Sequence, residues 1–362
     1  MITYFSCFRT CLCVARRLAF LIKKTYYKTI KHKGVITMKI NLSSFLQLRF
    51  NIFMCKKIGW KITFFYITCL GRLYFFFNRK EKQKIKSSVK EVFAGPKSRS
   101  EIRSITRDIF RGIVSHYYEK FFNAYSSPET LRAFVKTHME STGTGAIERG
   151  LSRGRGVLLI TGHVGGIELI PAFLCNKKYP VTMIVRFSSA HMRNTAMKQS
   201  NNFSTRIIDA DNTPNVIKAI FDNLKENRVV LTQCDEIDEW RPSKNNIISF
   251  LGKKINLDRT MNIISKRGGT SVVFGVMHRN YNHRYKFIGT SIEEIKKQFK
   301  QLTGASVGEI VLKYLEQYIY KHPEGWYQWK KYPAMKEIPS SGVIVEQPLY
   351  LPQLRPFLGR LA

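Results

Sequence analysis

The residues whose types and spacing best suit chemistry are His163 and Glu168, in the run GHVGGIE at 162–168. His163 ends the apolar stretch GVLLITGH (156–163), so it falls at the end of a strand, where α/β sheets carry their functional loops. The two glycines that follow allow a tight turn and let a substrate approach the backbone. A carboxylate on the opening turn of the next helix can then fold back to the imidazole. It would hold the proton of one ring nitrogen and leave the other free as a base. Spacing alone does not separate this arrangement from a His–Glu pair that is merely structural. No G-x-S-x-G elbow accompanies the histidine, and Cys175 and Cys234 stand in ordinary helix or strand-end sequence. The simplest chemistry is therefore direct. His163 takes a proton from a hydroxyl or amine, which attacks an activated acyl carbonyl. A backbone N–H or an arginine would stabilise the oxyanion. This chemistry needs neither metal nor resident cofactor.

The elements that must position this pair read as an α/β domain. Strands are expected at 156–163, 181–185, 204–209, 229–233 and 270–277, with amphipathic helices such as PNVIKAIFDNLKEN between some of them. Short apolar strands alternating with helices predict a mostly parallel central sheet flanked by helices. Upstream, 80–125 repeats apolar residues at helical spacing, and LRAFVKTHM continues as a helix. VGEIVLKYLEQYIYKHPEGW predicts a terminal amphipathic helix stopped by Pro323 and Gly325, and no strand is expected near the C-terminus. The chain divides into a basic leader (1–37), a membrane-associated helix (38–80), the catalytic domain (81–336) and an extended tail (337–362).

Composition narrows the partners. Sixty Lys and Arg stand against 25 Asp and Glu, giving a formal charge of +35. Such an excess calls for something anionic, nucleic acid or membrane. Aromatic residues at 13% favour an apolar surface, and no nucleic-acid-binding module is recognisable. Seven cysteines, at 7, 11, 13, 55, 69, 175 and 234, show no metal spacing and fit reduced thiols. The leader lacks the order of a cleaved signal peptide. It reads either as an extension upstream of Met38 or as a helix lying on the membrane. In IGWKITFFYITCLGRLYFFF (58–77) the charge-free part, 62–71, falls short of the ~20 residues a spanning helix needs. Insertion at the interface is expected there, with packing on the domain as the alternative.

The run LLITGHVGGIELIPAFL resembles the His-x4-acid block of the glycerolipid acyltransferase superfamily. Its glutamate form resembles that of the bacterial lipid A biosynthesis acyltransferases, of lauroyl and myristoyl type. Four further blocks match in order: HYYEKFF (116–122), VRFSSAHMRNTAM (185–197), FLGKKINLDRT (250–260) and HPEGWYQWKKY (322–332). The last has one extra residue between Trp326 and Trp329. The similarity runs from about 45 to 335. It implies His163 as base, Glu168 as its partner and Arg186 as a substrate contact, with Arg193 and Arg259 as further candidates that either face the substrate or are solvated surface cations. One departure stands out. The family carries an Asp-Gln-Asp-like stretch where this chain reads TQCDE (232–236), so the register leaves Gln233 or Asp235 as the match. Asp235 is taken as a substrate residue. Trp326 and Trp329, beside Lys330 and Lys331, suit either a headgroup-level contact or packing of the terminal segment.

The resemblance implies transfer of a fatty acyl chain from acyl carrier protein or acyl-CoA to a hydroxyl of a membrane lipid, most directly a lipid A precursor. The thioester is a cosubstrate rather than a cofactor. The resemblance also implies the bacterial inner membrane, with the catalytic domain on its cytoplasmic side. Other acceptors (a lysophospholipid, glycolipid or aminolipid) would leave the chemistry unchanged. The competing classes are a non-catalytic membrane scaffold and a nucleic-acid-binding protein.

Overall fold

The structure is a computed structural model that describes residues 51–53, 59–236, 242–280, 283–299, 302 and 304–338. The expected leader, most of 38–58 and nearly all of the expected tail lie outside the described residues. Three helices come first: α1 (Trp60–Phe77), α2 (Arg79–Phe93) and α3 (Arg99–Tyr125). Ser98 and Glu101 start α3 with a reciprocal capping box, each side chain bonding the other's backbone N–H. Helix α4 (Pro128–His138) begins on the Ser127 cap with proline in its first turn. Then follow β1 (Met139–Thr142), α5 (Thr144–Leu151), β2 (Val157–Thr161), α6 (Ile170–Asn176), β3 (Val181–Val185), α7 (Ala190–Asn202), β4 (Arg206–Asp209), α8 (Val216–Lys225) and β5 (Val229–Gln233). The hairpin β6 (Pro242–Phe250) and β7 (Lys253–Asp258) leads to α9 (Thr260–Gly268), β8 (Ser271–Arg279), β9 (Tyr285–Ser291), α10 (Ile292–Gln298) and α11 (Val307–Lys321).

Seven strands form one sheet in the order β1-β9-β8-β2-β5-β3-β4. Strands β8, β2, β5, β3 and β4 are mutually parallel, whereas β9 pairs antiparallel with β8 and carries β1 beside it. The five strands expected from apolar runs are all present. β1, β9 and the β6–β7 hairpin are additions, and among the described residues no strand follows Ser291. Every residue of β2 is buried, as its unbroken apolar sequence requires when helices cover both faces.

Helix α3 packs closely on the turn Pro323–Gly325 that follows α11. A Cβ at Gly112 would lie 1.8 Å from the Glu324 carbonyl oxygen, so only glycine admits this approach. Helix α1 rests on α3, with Phe75 against Phe110 at 4.9 Å, and buries Ile67, Leu70 and Phe75. It leaves Ile62, Phe65, Phe76 and Phe77 exposed. Among the described residues no helix is long and apolar enough to cross a membrane.

Candidate active site

The parallel strands end on one edge of the sheet, and the chemistry-bearing residues gather there. Strands β2 and β5 are in register with Thr161 opposite Gln233. Cys234 N–H donates to the Thr161 carbonyl at 2.8 Å, extending that ladder past the strand ends. His163 and Asp235 each stand two residues beyond the paired positions, so the register itself brings them side by side. The loop after His163 is clamped from both flanks. Gly165 N–H donates to the Gly325 carbonyl at 2.9 Å, and Gly166 N–H to Met277 at 2.8 Å. Gly165 sits at φ +59°, and a Cβ there would fall 2.1 Å from the Met277 carbonyl oxygen. The loop therefore needs glycine on both conformational and steric grounds.

Behind the loop lies an ion pair between the partly buried Arg279 and the buried Glu119. Arg279 Nε and Nη2 donate to the two carboxylate oxygens of Glu119 at 2.6 and 2.9 Å, and the Tyr285 hydroxyl donates to the first at 2.9 Å. Arg279 Nη2 also donates to the Gly165 carbonyl at 3.1 Å. Glu119 is fully buried. Burial raises its carboxyl pKa, with Arg279 and Tyr285 opposing that rise. The pair ties α3 and the end of β8 to the loop that carries His163.

The His163 imidazole is bounded by two carboxylates. Nδ1 lies 2.8 Å from Asp235 Oδ1, and Nε2 lies 2.8 Å from Glu236 Oε1. Asp235 is fully buried and also accepts from the His163 backbone N–H at 3.0 Å and from Trp326 Nε1 at 2.8 Å. Burial alone would depress the imidazole pKa. The attraction of Asp235, with the hydrogen bonds to Asp235 and Glu236, outweighs it and holds His163 at about 9. The same attraction acts on Glu236. Its burial is overcome by His163 and then by Lys331, 3.5 Å away, so its carboxyl falls to about 2. In this arrangement both ring nitrogens carry protons. Tyr327 meets the His163 ring edge-on at 5.1 Å and stacks on His116 at 3.5 Å. Burial pushes His116 well below its usual pKa, and neighbouring Lys120 and Arg279 add to that, so it stays neutral.

The structure redraws the expected set. Glu168 does not reach the His163 ring. It lies on the short turn Ile167–Leu169, which packs against α3, and its carboxylate stands 3.8 Å from both His116 Nε2 and Lys120 Nζ. The glycine turn carries it towards α3, while β5 supplies the acid on Nδ1. Asp235, expected at the substrate, instead holds the imidazole. Arg186 and Arg193 follow β3 on the same edge of the sheet, but they pair with the end of β4 and the loop after it. Arg186 Nε is 2.9 Å from Asp211, and Arg193 Nε is 2.6 Å from Asp209. Strand β3 is separated from β2 by β5, which puts it roughly 10 Å away. Arg259 is exposed at the start of α9, outside the His163 cluster. Trp326 and Trp329 are fully buried and pack edge-on at 5.0 Å, so they anchor the terminal segment and do not face a headgroup layer. Glu236, Glu119, Arg279 and Tyr327 were not singled out from sequence. Glu119 and Tyr327 lie inside the matched blocks HYYEKFF and HPEGWYQWKKY, which was the available signal.

No match was found among curated proteins. The family model described as "Bacterial lipid A biosynthesis acyltransferase" matches residues 42–331, a span containing the sheet, the His163 loop, Asp235 and the Trp326 segment. The chain therefore belongs to the bacterial lipid A biosynthesis acyltransferases, a family that implies acyl transfer to lipid A or a related lipid.

Proposed function

We propose that the protein transfers a fatty acyl chain, of lauroyl or myristoyl type, from an acyl thioester to a hydroxyl of a membrane-held lipid A precursor. His163 is the general base. The observation that carries this reading is the imidazole at the sheet's functional edge, with Nδ1 fixed by a buried carboxylate and Nε2 directed away from it. Asp235 acts as the positioning residue: by accepting a hydrogen bond from Nδ1–H it makes Nε2 the nitrogen that, in the neutral imidazole, can take the substrate's proton. The acceptor hydroxyl gives its proton to Nε2 as its oxygen attacks the thioester carbonyl. The tetrahedral oxyanion then collapses, the C–S bond breaks, and the thiolate takes the proton from the imidazolium.

The N–H groups of Val164, Gly165 and Gly166 already donate to the carbonyls of Gly162, Gly325 and Met277. Positive charge for the oxyanion is therefore best supplied by the half-buried lysines Lys120 and Lys330 around the site. The donor is an acyl carrier protein or acyl-CoA, either of which suits a strongly basic protein. Association with the cytoplasmic face of the inner membrane is supported by the exposed Ile62, Phe65, Phe76 and Phe77 of α1 together with the net charge.

The test is His163→Ala in purified enzyme, supplied with acyl thioester and a primary-acylated lipid A precursor. Turnover should fall about 10²–10⁴-fold, the scale of acid–base catalysis, with folding retained. Near-normal turnover in a folded H163A protein would overturn the assignment.

A further inference from the structure

An imidazole nitrogen offers one in-plane direction for a hydrogen bond, as donor or as acceptor. At His163 Nε2 that direction is filled by Glu236 Oε1 at 2.8 Å. A hydroxyl cannot give its proton to this nitrogen while the carboxylate is there. The two carboxylates on the ring are unlike. Asp235 is fully buried and bonded by both the His163 backbone and Trp326 Nε1. Glu236 is one-third exposed, and its other oxygen lies 3.5 Å from Lys331 Nζ. Such a carboxylate can turn from the ring towards water and a lysine without being stranded in an apolar interior.

Resting on the reading of His163 as base, we propose that Glu236 is a displaceable cap. It holds His163 as an imidazolium in the free enzyme and leaves Nε2 when the acceptor hydroxyl arrives, with Lys331 holding the displaced carboxylate. The Nε2 proton passes to bulk buffer at that step, so the neutral nitrogen then meets the substrate O–H. The cap thereby ties the appearance of an active base to occupation of the acceptor site, and it keeps an unoccupied site from activating water against the thioester.

The charged and titratable groups around the ring come from every side. They are Asp235 and Glu236 past β5, His116 and Lys120 on α3, Arg279 at the end of β8, Glu168 on the same loop, and Tyr327, Lys330 and Lys331 on the C-terminal segment. Of these only Asp235 and Glu236 hydrogen-bond the ring nitrogens. Burial disfavours the imidazolium, and the two carboxylates maintain it. With both in place the imidazole titrates at about 9, and the charged form is the one present at neutral pH.

The experiment compares full-length wild type with Glu236→Gln. One readout is NMR titration of the imidazole-labelled protein, with His163 assigned by its loss in H163A. The other is the pH dependence of kcat/KM and kcat. Removing one of two bonded anions should lower the His163 titration by about one unit. The acid limb of kcat/KM, which reports the free enzyme, should move down by the same amount and raise kcat/KM at pH 7 about tenfold. The acid limb of kcat, which reports the complex, should move less than half as far, because the cap has already left. An unchanged titration overturns the proposal, as does a kcat lowered about 100-fold or more at every pH, which would make Glu236 part of the chemistry. If H163A kept its turnover, the base assignment would fail instead, while the NMR titration would still report on the carboxylate itself.

Discussion

Asp235→Asn is the substitution that most directly tests how the site is built. The side chain is fully buried and accepts from the His163 backbone N–H, from Nδ1 at 2.8 Å and from Trp326 Nε1 at 2.8 Å. An asparagine keeps the size but offers one oxygen and one NH₂ group in place of two oxygens. If its oxygen faces His163, the NH₂ opposes the Trp326 donor. If its NH₂ faces Nδ1, the imidazole must accept there and carry its proton on Nε2, the tautomer that cannot act as a base. Either placement loses a charge-assisted bond to a buried partner, worth about 1.5–3 kcal/mol of stability. The tautomer change in an equivalent His–Asp pair costs about 10⁴ in rate, so kcat should fall by about 10³–10⁴. The His163 titration should also drop from about 9, since the attraction of Asp235 is the largest influence raising it. Steady-state acyl transfer, urea denaturation and histidine NMR on the same preparation would measure all three. A folded D235N enzyme that keeps more than about one-tenth of wild-type kcat would refute the idea that this carboxylate sets the tautomer.

Two other expectations test the frame around the site. Glu119→Gln breaks the pair with Arg279 and should cost about 3–5 kcal/mol in chemical denaturation, with acyl transfer falling as the Gly165 carbonyl loses its fixed donor; a cost below about 1 kcal/mol would show that the pair braces nothing. Replacing both Phe76 and Phe77, which are 64% and 67% exposed, by Asp should weaken sedimentation of the full-length protein with anionic vesicles at least about tenfold, since each buried Phe is worth roughly 1.5–3 kcal/mol. Unchanged binding that high salt abolishes would mean that charge alone holds the protein at the bilayer.

What the sequence revealed of the fold follows from where its signals were one-dimensional. Strands β2, β5 and β8 are buried through most of their length, and their unbroken apolar runs were legible for that reason. Strand β1 is the four residues MEST, alternately half-buried and exposed, and carries no apolar run at all. Strand β9 alternates along most of YKFIGTS and joins the sheet antiparallel between β8 and β1, after a change of direction that apolar runs cannot announce. The C-terminal tryptophans show a similar gap. Aromatic residues beside lysines read alike whether they face a membrane or a core, and only the tertiary fold buries Trp326 against Asp235.

The acid bonded to the His163 ring is not the one that spacing along the chain suggests. Spacing along the chain favours an acid a few residues away, and Glu168 met that condition. The pair is in fact made across the sheet, where parallel register sets Thr161 opposite Gln233 and so places two loops at the same height. From there a separation of 72 residues becomes a 2.8 Å contact. Glu168 is left to face His116 and Lys120 across the turn, at distances too long for direct hydrogen bonds. The TQCDE stretch departs from the family's pattern, yet it supplies both carboxylates on the ring. Its two acids divide the work by burial. The one bonded to Trp326 Nε1 is fully buried and suits the orienting role proposed for it, and the one a third exposed suits the proposed cap.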